Sequence, residues 1–133
     1  MTGRARRGAD RGASAVEFAL VLPVLLIIVF GVIDFGRMLN AQITLTEAAR
    51  EGSRAESLGA DPEARAALVG DLDGMDVDVT ACPSPSGADD TTTVITSYPF
   101  EFVTPVGDIA ALLGGSGYGT VTLTGRGVMP CLS

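Results

Sequence analysis

Few residues in this chain have types and spacings that could do chemistry. Asp71, Asp73, Asp76 and Asp78 suggest calcium at first sight. They lack the ligand positions and closing Glu of an EF-hand loop, and their alternation with Val77 and Val79 reads as the solvated face of a strand. Asp34-Phe35-Gly36 spells the magnesium tripeptide of protein kinases, but it follows a long apolar run and no other element of that site is present. GGSGYG at 114–119 is not a phosphate loop, because no Lys-Ser/Thr follows it. His is absent, and with it the commonest general base and metal ligand. Cys82 and Cys131, the only cysteines, would need further ligands to hold a metal. No nucleophile–base pair or metal constellation is visible, so neither an enzyme nor a cofactor is expected.

The elements that position these residues begin with a charge asymmetry. Residues 1–12 hold Arg4, Arg6, Arg7 and Arg11 against Asp10, a balance of +3. Residues 37–133 hold five Arg against thirteen acids, a balance of −8. Between them, Phe18 to Ile33 is sixteen residues without a charge. Extended back to Ala13, the run is about 32 Å as a helix at ~1.5 Å per residue, matching a hydrocarbon core of ~30 Å. A secretory signal peptide also has a basic start and an apolar core, but this run is long for that role. The sequence that follows, IDFGRMLNAQ, also offers no convincing small-x-small cleavage site. The reading is a membrane helix over 13–36, with Pro23 as the site of a mild kink. The basic leader at 1–12 is then cytoplasmic and the acidic remainder extracytoplasmic. An acidic outer part also argues against a nucleic-acid partner.

Helical spacing continues past the membrane. Phe35, Leu39, Ile43, Thr46, Ala49 and Gly52 step by three or four and predict one helical stripe. Arg37, Asn40, Thr44, Glu47, Glu51 and Arg54 lie opposite it. Asp34–Arg37, Glu47–Arg50 and Glu51–Arg54 are i,i+3 pairs, the first at the outer membrane interface. The stripe shrinks to Ala and Gly toward its end, where another backbone can approach closely. One helix is therefore expected from about Ser14 to Leu58, half in lipid and half (37–58) outside it.

Residues 59–133 read as a small extracytoplasmic α+β domain. Asp61 fits a helix N-cap, Pro62 the first position, and Gly70 or Gly74 the stop. Strands are predicted over Met75–Cys82, Thr91–Val103 and Thr120–Met129, with Pro99 suggesting an edge or bulge. Val121, Leu123 and Val128 are the apolar positions of the third strand, interrupted by Gly125 and Gly127. Asp108 to Leu113 suggests a helical turn. Two thiols outside the cell normally pair, so Cys82 and Cys131 are expected to form a disulfide. Closing a loop of about fifty residues contributes roughly 4 kcal/mol in the chain-entropy model, a large share for a domain this small. In a simple meander the two cysteines share one end of the sheet but lie two strand spacings apart, ~9.6 Å, beyond the ~7 Å a bridge spans. Either the strand ends curl together past the middle strand, or the third strand lies beside the first.

Just before the apolar run stands RGASAVEF. A cut after Gly12 would make Ala13 the first residue of the product and Glu17 the fifth. A basic leader, Gly, Glu five residues on and a long apolar helix resemble prepilins of the type IV class. GASAVEFALVLP, GVIDFGR and EAAREGSR resemble the TadE-like family, pseudopilins of Flp (tight-adherence) pilus assembly, over about Arg11 to Leu58. The resemblance implies a pilin-like fold: a long N-terminal helix packed on a small three-stranded antiparallel sheet. It also implies cleavage between Gly12 and Ala13 by a prepilin peptidase, with Glu17 as the acid that follows the cut. Its partners would be membrane lipid and other Tad pilus-assembly proteins or pseudopilins, and its role surface attachment. The other reading of the residues is a single-pass, membrane-anchored binding or sensing domain with no part in pili.

Overall fold

The computed structural model of the chain describes residues 7–105, 108, 112 and 120–132. In chain order the elements are α1 (Arg7–Ser57), α2 (Pro62–Gly70), β1 (Asp76–Thr80), β2 (Thr91–Glu101) and β3 (Thr120–Pro130). The architecture is α+β: a long N-terminal helix lies on a three-stranded antiparallel sheet. The predicted turn at Asp108–Leu113 and the glycine run at 114–119 lie outside the described residues, apart from Asp108 and Leu112.

Helix α1 is unbroken for 51 residues and passes through Pro23. At ~1.5 Å per residue it is about 77 Å long. It is already helical at Arg7, the first described residue and ahead of the expected start near Ser14, since no Pro intervenes and Ala and Arg favour helix. It stops at a Schellman turn. Gly59 takes φ +72, its N–H donates to the Glu56 carbonyl (2.9 Å), and the Ala60 N–H donates to that of Ala55 (2.9 Å). Helix α2 starts as its sequence suggests: the Asp61 carboxylate accepts from the Ala64 N–H at 3.0 Å, and Pro62 follows. It ends at Gly70, with Asp71 taking the positive φ of 28°.

The sheet order is β1-β2-β3, both pairs antiparallel. The short β1 opposes only Thr93 to Ser97 of the central strand. Pro99 lies beyond its reach, so a proline in the central strand stands on a locally free edge. Alternation in β1 is as predicted, with Val77 and Val79 half-buried and Asp76 and Asp78 exposed.

Thr92, Val94, Thr96 and Phe100 of β2 turn toward α1, and from β3 so do Gly125 and Gly127. The two glycines do not interrupt the packing face; they form it. A methyl group on Gly125 would overlap the Leu45 carbonyl, and one on Gly127 that of Ala49. Val128 belongs to the other face and is exposed, opposite its register partner Thr93. The Thr96 hydroxyl donates to the Leu45 carbonyl at 2.9 Å, and the Gln42 amide to that of Thr124 at 2.7 Å. Helix and sheet are thus joined by close backbone approach and a few polar links as well as by a small apolar core.

The stripe that α1 buries also differs from the expected one. Ala41, Leu45, Ala48, Ala49, Gly52 and Ser53 are buried, while Phe35, Leu39 and Ile43 are exposed. The small end of the predicted stripe was right, since Ala49 and Gly52 do pack. Toward the apolar run the sheet docks on a neighbouring face, because only there do small residues let β3 come close enough. Glu51 reaches across to Arg65 of α2 at 3.3 Å and not along its own helix to Arg54. Glu47 and Arg50 form no ion pair among the described residues.

Candidate functional site

The residues singled out for function lie along α1 in three places. At its start, Gly12, Ala13 and Glu17 are exposed and already helical. Glu17 stands four residues, one helical turn, above Ala13, ~6 Å along the axis. A Cβ added to Gly12 would meet nothing within 4 Å. Among the described residues nothing crowds Gly12, but a peptidase that binds its substrate extended must first unwind the helix there. Gly is about 1 kcal/mol less favourable than Ala inside a helix, so that unwinding is least costly at Gly12.

Above this point comes the apolar run. From Phe18 to Ile33 most side chains are exposed on every side of the helix, and no other part of the described chain covers them. Among the described residues this is the one helix long and apolar enough to cross a membrane. A helix apolar all round is stable only in an apolar surrounding. All its backbone groups but those freed at Pro23 are satisfied internally, as a lipid environment requires.

Asp34 follows the run directly and is 1% exposed. Its Oδ1 accepts from Arg37 Nη1 and from the Val103 N–H, both at 3.3 Å, and its Oδ2 from the Thr104 N–H at 3.2 Å and the Thr104 hydroxyl. A buried carboxylate is costly unless paired and hydrogen-bonded, and this one has four donors. Arg37 continues the junction with its guanidinium 5.3 Å from the Phe100 ring centre, and Phe100 meets Phe102 edge to face at 5.5 Å. The expected Asp34–Arg37 pair is present, but it is the smaller part of the site.

Val103 and Thr104 are the residues that sequence reasoning missed. One signal could have found them: an acid at the end of an apolar run needs donors, and a strand that has just left its ladder at Glu101 offers unpaired N–H groups.

At the far end of the domain Cys82 and Cys131 are bonded, with Cα atoms 5.8 Å apart. The strands do form a meander, so the first of the two expected solutions applies. Thr80 pairs with Thr93, and Pro130 with Thr91, so both cysteines follow their strands to the level of the start of β2, where the two ends converge. The Cys131 N–H donates to the Asp90 carbonyl at 2.8 Å, and the Cys82 N–H to Glu56 Oε1 at 3.0 Å. The bond therefore ties the sheet's far end to the end of α1. Among the described residues no cluster of acids and cysteines could hold a metal ion.

Gly12, Asp34 and the cysteine pair lie far apart along one axis, and nothing brings them into a common cleft. The arrangement can anchor, present and pack.

Residues 12–54 match the family model described as TadE-like protein. The match covers α1 from Gly12 to Arg54 and stops before α2 and the sheet. No curated protein and no solved structure matches the chain.

Proposed function

We propose that this chain, TadE-like over residues 12–54, is a membrane-anchored assembly protein or minor pseudopilin in the biogenesis of a Flp/Tad-type pilus used for surface attachment. The observation that carries the reading is the family match itself. It begins at Gly12, the residue before the proposed cut, and runs through the apolar segment into EAAREGSR.

In this reading residues 1–12 face the cytoplasm, α1 crosses the membrane, and the sheet lies outside. A prepilin peptidase hydrolyses the Gly12–Ala13 peptide, adding water across the bond and leaving an amine on Ala13. Glu17 lies one turn away, so the new positive charge can offset its cost in lipid, in the same chain or a neighbour. Losing the Arg-rich leader removes the groups that hold this end inside, and the helix can then be drawn outward. The role assigned is structural; no catalysis is attributed to the chain.

The exposed face of α1 outside the membrane supports a packing role. Phe35, Leu39 and Ile43 stay uncovered by the chain's own sheet, and Ile43 is 59% exposed. Helical spacing makes them one stripe, continuous with the apolar run and suited to a partner helix. Copurification tests the reading. Full-length chain solubilised from membranes of its native host should carry other pilus-assembly proteins with it. Recovery without any of them would favour an anchored binding or sensing domain.

A further inference from the structure

The sheet has a lower and an upper end relative to α1. Glu101 pairs with Thr120 at one end, and Thr91 with Pro130 at the other. The upper end is joined through Cys82 to Glu56, and the lower end through Val103 and Thr104 to Asp34. Asp34 and Glu56 are about 33 Å apart along the helix at ~1.5 Å per residue. The lower end is thus fixed, by hydrogen bonds to one carboxylate, at the residue where α1 leaves its uncharged run.

The surface at that level is apolar and uncovered. Val103 is 74% exposed and Phe35 is 56% exposed. Arg37 is held by Asp34, and the other nearby charge, Glu101, is acidic and exposed. The one cation at this level among the described residues, Arg37, has a side chain 45% exposed but is already paired with Asp34, so its attraction to anionic lipid is weak beside the burial of Val103 and Phe35.

We propose that the lower rim of the sheet, with Val103 as its exposed apolar contact, rests in the headgroup–acyl boundary of the bilayer that α1 spans. The occupant is lipid because the rim is continuous with the membrane-spanning run: Ile33, its last residue, directly precedes Asp34. Lipid surrounds the helix at that level whatever protein is nearby. The domain is then seated on the membrane, not carried above it on a stalk. Apolar seating of this kind is insensitive to salt, unlike attraction between charges. The proposal rests on reading α1 as a membrane span.

The chain contains no Trp, so a single introduced Trp is an unambiguous reporter. The test uses the full chain in phosphatidylcholine nanodiscs built on a Trp-free scaffold, one chain per disc, with and without bromine placed just below the headgroups. Three variants are compared: Val103→Trp, Val29→Trp within the span, and Leu68→Trp on α2, where the native side chain is 77% exposed. Formation of the Cys82–Cys131 bond, read by non-reducing mass, reports the folding of each.

Val103→Trp should emit further to the blue than Leu68→Trp and lose most of its emission in brominated discs, at low and high salt alike. Leu68→Trp should lose none. If Val103→Trp behaves as Leu68→Trp while Val29→Trp is quenched, the rim does not touch lipid and the proposal is overturned. A blue shift that appears only when discs hold two chains assigns the rim to a second copy and overturns it equally. If Val29→Trp also escapes quenching, the membrane reading itself fails and the proposal fails with it.

Discussion

The backbone N–H of Thr104 donates to Oδ2 of Asp34 at 3.2 Å, across 70 residues of sequence. This bond, with its neighbours from Val103 and the Thr104 hydroxyl, makes a rigid joint of the point where the domain meets the apolar half of α1. In the proposed role such a joint would pass force or rotation applied to the helix directly to the sheet.

Replacing Asp34 by Ala should free that joint. It removes a buried acceptor of four hydrogen bonds and strands the amides of Val103 and Thr104. A loss of about 2 kcal/mol locally corresponds to roughly 30-fold faster hydrogen exchange at those two amides. Asp34→Asn, which keeps the shape and one carbonyl oxygen, should lie between. Unchanged exchange in both variants would mean the carboxylate does not hold the loop.

Close approach of β3 to α1 makes a second prediction. Gly127→Ala places a methyl group against the carbonyl of Ala49, where the obstacle is backbone and cannot swing aside. Overpacking of this kind costs about 1–3 kcal/mol or more. The Tm of the full chain in detergent should fall accordingly. Gly36→Ala, whose methyl meets nothing within 4 Å, should leave the Tm unchanged or raise it. Equal effects from the two would contradict the packing described.

The disulfide closes a sequence separation of 49 residues and joins the sheet's upper end to Glu56 through the Cys82 amide. Replacing both cysteines by Ser should cost about 4 kcal/mol in the chain-entropy model. Thermal unfolding with and without reductant reads the effect in the wild-type chain. A Tm indifferent to reductant would show that the core alone supports the domain.

Processing gives a fourth prediction. Intact mass of chain recovered from cells that make the peptidase should match residues 13–133. Gly12→Leu should retain the leader, by crowding the cleft and stiffening the helix that must open. Glu17→Ala should be cut nearly normally and yet be assembled poorly. Wild-type chain carrying its full leader in piliated cells would identify an uncut anchor.

Much of this fold could be read from local patterns. The uncharged run, the Asp61-Pro62 start of α2, the alternation around Val77 and the β-branched stretch after Thr91 each encode a local preference, and the structure follows them. The position of the sheet on α1 could not be read that way. Phe35, Leu39 and Ile43 look like a core stripe because they are large and well spaced, yet they are exposed. The face that packs sets Leu45 and Ala49 against Gly125 and Gly127, and Gly52 against Val94 and Ala66, and smallness leaves little trace in an apolar periodicity. The Asp34 joint was half legible. Its i,i+3 partner Arg37 is local, whereas Val103 and Thr104 come from a distant strand end. The cysteine pairing followed from their number and the expected compartment, and how the ends meet followed only from the register of β2.

The central claim is that this chain serves pilus assembly. It is tested most directly by counting surface pili on native-host cells that lack it, before and after wild-type chain is restored from a plasmid. The account predicts a marked loss of pili and of surface attachment on deletion, and recovery of both on restoration. Cells that lack the chain yet carry pili in normal number and attach normally would contradict it.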